Sequence, residues 1–151
     1  VNKVKIFFHS YDRHTRLLFL EAFVFLAWAR MLKFLPFGKI APILGEQMCE
    51  SSLENNETER KIVKQISQAV TIMSKYTFWE SQCLVKAIAA MKMLGRRNID
   101  TTLYLGTAKD EKGQFTAHAW LRSGPYILTG AEEKHKFTKI GCFAKTYSRK
   151  V

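Results

Sequence analysis

The chain has 151 residues, 47% of them hydrophobic and 25% charged, which excludes a disordered chain and predicts one domain, 1–151, with a core of its own. The formal net charge of +11 favours an acidic partner, yet no basic block is interleaved with aromatics and no zinc-finger spacing occurs, so no nucleic acid is expected as a partner. Three cysteines (Cys49, Cys83 and Cys142), without a C-x-x-C pair, argue against a disulfide framework and a structural metal site and for reduced thiols, with the cytoplasm as the expected compartment. The start shows no signal-peptide order of charged, apolar and small residues; it also lacks methionine, as a chain that begins inside a longer protein would.

In chain order, residues 1–8 alternate weakly and are expected as a short strand or extended arm. Residues 15–35 form the first long helix, stopped by Pro36 and Gly38. It is rich in Leu, Phe and Ala, but Glu21, Arg30 and Lys33 interrupt it. The run from Ala22 to Ala29 is far short of the roughly 20 apolar residues of a membrane span, so a buried helix is expected and membrane contact is not. A short helix over 39–49 has Pro42 in its first turn. Asn56 with Glu59 reads as a capping box, opening a helix that buries Ile62, Ile66, Ala69, Val70 and Met73.

Ser81 is the expected N-cap of the next helix, whose apolar stripe is Leu84, Ala87, Ile88, Met91 and Leu94, with Gly95 or Asn98 at its end. Residues 101–107, 114–122 and 126–129 then read as strands, separated by turns at 109–113 and 123–125. Residues 137–147 supply a fourth, and the tail 147–151 is expected to fray. The pattern gives an α+β fold, with a helical part (1–76) ahead of a β-rich core (77–147).

Cys83 falls in the first turn of its helix, beside N–H groups that lack intrahelical partners. The thiolate is the reactive form of cysteine, and helix N-termini favour it. His118 lies 35 residues later on a strand, between Ala117 and Ala119. Thiol and imidazole together are the two parts of an activated nucleophile. The plainer reading of each is a core residue. Cys49 and Cys142 lack this setting, and His9, His14 and His135 lie among polar residues.

A third group should orient the imidazole. A three-residue turn at 123–125 sets Arg122 opposite Tyr126 and His118 opposite Gly130, where no acid stands. Glu132 reaches back only if the chain bends after Gly130; a backbone carbonyl or a group from elsewhere is the alternative, and Glu132 and Glu133 then remain surface acids.

Trp79-Glu80-Ser81-Gln82-Cys83-Leu84, Leu94-Gly95-Arg96-Arg97-Asn98-Ile99, Leu103-Tyr104-Leu105-Gly106 and Ala117-His118-Ala119-Trp120-Leu121 together resemble the transglutaminase-like cysteine peptidase of lasso-peptide biosynthesis. The resemblance covers about 78–143, and Leu35-Pro36-Phe37 after a Leu-rich helix extends it forward. It implies a papain/transglutaminase-like domain, its helical N-terminal half packed on an antiparallel sheet and its nucleophile at a helix N-terminus. It implies Cys83 as nucleophile, His118 as general base and then acid, and no cofactor or metal. The implied substrate is the leader of a ribosomally made precursor, commonly with Thr second-last in the leader. The implied partners are a small leader-binding recognition protein and an ATP-dependent lasso cyclase. Many members carry Asp at the position of Gly130, so the chain departs from the pattern there. An acidic leader or partner would be steered to Arg96, Arg97, Lys86 and Lys92. Two other functions fit the residues: a transamidase or deamidase on the same fold, and a non-catalytic protein-binding scaffold.

Overall fold

The computed structural model describes residues 2–79 and 81–147. The expected fraying of the tail beyond Tyr147 falls outside these residues. Tyr147 itself is tied in, its N–H donating to Asp100 Oδ1 at 2.8 Å.

In place of the short strand or extended arm expected over 1–8, residues 2–9 form helix α1 (Asn2–His9). The weak alternation is overridden by packing: Phe7 and Phe8 set their rings against Phe19, at 6.3 and 5.9 Å between centroids. Helix α2 (Arg13–Leu32) buries Leu18, Phe19, Ala22, Leu26, Ala29 and Leu32, the three-and-four spacing of one helical face. Among the described residues no helix is long and apolar enough to cross a membrane. Helix α3 (Phe37–Leu44) starts on Pro36 and holds Pro42 within it. It ends five residues before the expected Cys49, because Glu46–Gln47 form a short strand, β1, paired with the last strand.

Helix α4 (Glu57–Ser74) opens with the expected capping box: Glu59 N–H donates to Asn56 Oδ1 at 2.8 Å, and Asn56 N–H to Glu59 Oε2 at 3.1 Å. It buries Ile66, Ala69, Val70 and Met73 as expected; Val63 is buried too, whereas Ile62 is half-buried. Helix α5 (Cys83–Gly95) departs further from its predicted stripe. Val85, Ala89, Ala90 and Met93 are buried along with Ala87, Ile88, Met91 and Leu94, so the helix is enclosed on nearly every side. It packs on α2, α4 and the sheet together. A helix apolar all round belongs at the centre of a core.

The sheet is antiparallel, in the order β1-β5-β2-β3-β4, with β2 Thr101–Lys109, β3 Phe115–Ser123, β4 Tyr126–Thr129 and β5 Thr138–Lys145. Its inner face gives Leu103, Leu121, Leu128 and Phe143 to the same core as the helices. Its outer face carries Tyr104, Trp120 and Cys142 as a second cluster, flanked by Ile127 and Phe137. At the end of that face Arg122 is 7% exposed, and all five of its N–H donors are used. They reach Tyr104 Oη (2.9 Å), Thr102 Oγ1 (3.2 Å), and the carbonyls of Ser51 (2.9 Å), Ser52 (3.0 Å) and Gly124 (2.8 Å). This network pins the segment ahead of α4 to the β3–β4 hairpin. That hairpin turns on two residues rather than three: Ser123 faces Tyr126, Arg122 faces Ile127, and a bulge follows before Leu121 faces Thr129.

Candidate active site

The cleft begins at the start of α5. Gln82, not the expected Ser81, is the N-cap, and its side chain makes no capping bond. The hydroxyl of Ser81 pairs instead with Thr77 Oγ1 at 2.9 Å, bracing the segment before the helix. The first intrahelical bond runs from Lys86 N–H to the Gln82 carbonyl at 3.0 Å, so the N–H groups of Cys83, Leu84 and Val85 precede the helical ladder. Cys83 is half-buried.

Cys83 and His118 line one cleft of about 540 Å³, with Gln82 and Lys86 from the helix side and Gly130, Glu132 and Phe137 from the sheet side. Two residues 35 apart in sequence thus line one cleft because α5 packs across β3.

His118 is 9% exposed, its ring stacked on Phe137 at 4.9 Å and near Trp120 at 5.9 Å. Its Nε2 is 2.9 Å from the carbonyl oxygen of Gly130. A carbonyl oxygen only accepts, so Nε2 carries a proton, and in the neutral ring the lone pair is then on Nδ1. The group that orients His118 is therefore this carbonyl and not Glu132, which stands exposed on the cleft wall. The two-residue turn and the bulge change the expected pairing, yet they still deliver Gly130 to the imidazole.

Gly130 has φ +77°, a conformation that disfavours side chains. A Cβ there would fall 2.5 Å from the Ala119 carbonyl oxygen and 2.9 Å from His118 Nε2. This backbone has no room for the Asp that the resemblance places at position 130.

Arg96 and Arg97 lie at the opposite end of α5, a helix of 13 residues that spans about 20 Å. Both are committed to Glu21 of α2. Arg97 gives it two parallel bonds, at 2.9 and 2.8 Å, and Arg96 a third at 2.8 Å. Arg97 also caps the Met93 carbonyl at 2.8 Å. Burial raises the Glu21 pKa, but the Arg97 hydrogen bonds and the two guanidinium charges outweigh it, and the carboxyl lies below its ordinary value. These arginines clamp helices; of the four cations considered for steering, Lys86 lines the cleft.

Cys49 is half-buried and Cys142 buried in the outer-face cluster. Burial, with the Glu46 carboxylate beside it, pushes the Cys49 thiol up from its ordinary value, which disfavours a nucleophile. His9, His14 and His135 are exposed, as expected.

A family model described as the transglutaminase-like superfamily matches residues 26–142, a span that holds Cys83, His118 and Gly130. Neither a curated protein nor a solved structure matches the chain. With that match over most of its length, and with an α+β architecture to suit, the chain belongs to the transglutaminase-like superfamily, which includes cysteine peptidases and transglutaminases.

Proposed function

We propose that this protein is a cysteine peptidase that removes the leader from a lasso-peptide precursor through a thioacyl-enzyme on Cys83. The observation that carries the chemistry is the shared cleft, lined by Cys83 and by an imidazole that a carbonyl holds at Nε2, which leaves Nδ1 for proton transfer. The substrate assignment rests on the motifs around Cys83 and His118.

Nδ1 of His118 takes the Sγ proton as the thiolate attacks the scissile carbonyl carbon. Charge develops on the carbonyl oxygen, and the N–H groups at the start of α5 are fixed donors suited to it. The imidazolium then gives its proton to the leaving amine as the C–N bond breaks, which leaves a thioester on Cys83. Water, losing a proton to Nδ1, cleaves the thioester and restores the thiol. The Gly130 carbonyl supplies no charge in any step. It fixes ring and tautomer, which suits a thiol because a thiol needs less help than a hydroxyl.

In this reading the protein works in the cytoplasm without a cofactor. A small recognition protein delivers the precursor, and a separate ATP-dependent cyclase closes the ring on the freed amine.

The test is cleavage of a short precursor encoded beside this chain's gene. Cys83→Ala and His118→Ala should each abolish it, and Cys49→Ala should not. Cleavage by the Cys83→Ala protein would sink the proposal. A product heavier by one mass unit, with no cut, would assign a deamidase instead.

A further inference from the structure

The cleft does not end at His118. Phe137 forms part of its wall and also part of the wall of a second cavity, of about 290 Å³, on the outer face of the sheet. Trp120 and Tyr104 line this second cavity, stacked at 5.6 Å and 18° between ring planes and themselves largely buried, and Arg122 lines it with them. His118, Trp120 and Tyr104 thus make a row of rings leading away from the thiol, in steps of 5.9 and 5.6 Å.

Charge changes sign along this row. Beside the thiol the sheet side of the cleft carries Glu132 and Glu133. Beyond Phe137 the walls hold Arg122, Lys134 and Lys139 against one acid, Glu50. Glu50 is already engaged by the Tyr104 hydroxyl at 2.7 Å and by Lys139 at 3.6 Å. The guanidinium of Arg122 is used up within the fold. Lys134 stands exposed on the rim, with no carboxylate paired to it among the described residues.

The chemistry sets the direction in which substrate crosses this row. His118 must protonate the leaving amine, so the residues after the scissile bond lie on the imidazole side, where Phe137 and Trp120 stand. An extended chain advances about 3.3 Å per residue. Two residues span the step from His118 to Trp120, and Tyr104 lies opposite Trp120 on the neighbouring strand.

We infer that the cavity beyond Phe137 is a leaving-group subsite, which takes an acidic side chain two to three residues after the scissile bond, its carboxylate on Lys134 and its methylenes against Phe137. This rests on the peptidase reading above. It adds a substrate preference that neither the Cys83–His118 pair nor the family match supplies.

The test uses dye-labelled synthetic peptides that carry Glu, Gln, Lys or Phe at the second and third positions after a fixed cleavage site. Cutting is read by mass spectrometry with the active protein. Binding is read by fluorescence anisotropy with the Cys83→Ala protein. Glu peptides should be cut and bound better than Gln peptides by roughly fivefold, the scale of one partly exposed ion pair, and the gap should close in high salt. Lys134→Glu should invert the preference towards Lys peptides. Equal treatment of Glu and Gln, a preference that survives Lys134→Glu, or Phe favoured over Glu would each overturn the subsite. Cutting without preference removes the subsite and keeps the peptidase; preferential binding with no cutting of any peptide removes the peptidase and keeps the subsite.

Discussion

Replacing Gly130 by alanine tests what holds His118. Two costs are separable. At φ +77° a side chain incurs about 1–2 kcal/mol of left-handed strain. The new Cβ would also sit 2.5 Å from the Ala119 carbonyl oxygen and 2.9 Å from His118 Nε2. The first of these is backbone in the paired β3–β4 region and has little freedom to yield, so overpacking adds about 1–3 kcal/mol. Together they come to about 2–5 kcal/mol, or roughly 4–20 °C in Tm for a chain of this size. Gly113 is the internal control. Its φ is also +77°, but nothing lies within 4 Å of a Cβ there. Gly113→Ala should show the strain alone, and the excess in Gly130→Ala is the contact. Calorimetry measures both, and nitrogen-15 NMR of the imidazole reports the tautomer. Gly130→Ala should lose the Nε2–H form of His118 and most of its cleavage, and Gly130→Asp should do no better. If Gly130→Ala melts with Gly113→Ala and keeps the Nε2–H tautomer, the carbonyl is not what orients His118. A Gly130→Asp protein faster than the parent would refute the reasoning from the other side.

Arg122→Met removes five donors from a buried network and strands the acceptors of Ser51, Ser52 and Gly124; a loss of about 3–5 kcal/mol is expected in urea melts, and a loss under about 1 kcal/mol would contradict the network's role. Glu21→Gln should cost about 1.5–3 kcal/mol near neutral pH by weakening the clamp on Arg96 and Arg97. The folded state depresses the Glu21 pKa, so its contribution is complete above the ordinary value of 4.5 and is lost as pH falls through the folded value; the gap between parent and Glu21→Gln should narrow below about pH 4.5, and a constant gap down to pH 3 would refute the assignment. Asn56→Ala should lower stability by about 1 kcal/mol through the cap of α4, without altering cleavage of any peptide.

The parts of the fold legible in the sequence were those fixed locally. Asn56 and Glu59 state their own cap, and the spacing from Ile66 to Met73 states its own face. The alternation of 101–107 and the turns at 109–113 and after Ser123 are similarly self-contained. What failed depended on partners far away in sequence. The aromatic cluster around Phe19 turns residues 2–9 into a helix. Thr77 takes the Ser81 hydroxyl away from the cap. Three elements close on α5 and bury residues that lie outside a single stripe.

The site was legible to the same degree. Cys83 at a helix start and His118 between two alanines pointed to each other, and the cleft unites them. The carbonyl of Gly130 has no side chain to announce it, although a glycine opposite a strand histidine was the available signal. Arg122 and the cavity beyond Phe137 were missed because a charged residue at a strand end reads as surface. Its same-face spacing from His118 and Trp120 was the clue that it belonged with them.

The enclosure of α5 has a consequence for how such a site can change over time. The body of α5, packed from Val85 to Leu94 among α2, α4 and the sheet, is where amide exchange should be slowest, so the helix that carries the thiol has little freedom to shift. A substitution there that alters the reaction also threatens the fold. The opposite wall is built differently: residues 131–136 are exposed, and Lys134–Lys136 form a single turn of 3-10 helix. New side chains can appear there without entering the core, so recognition can drift while the chemistry stays fixed.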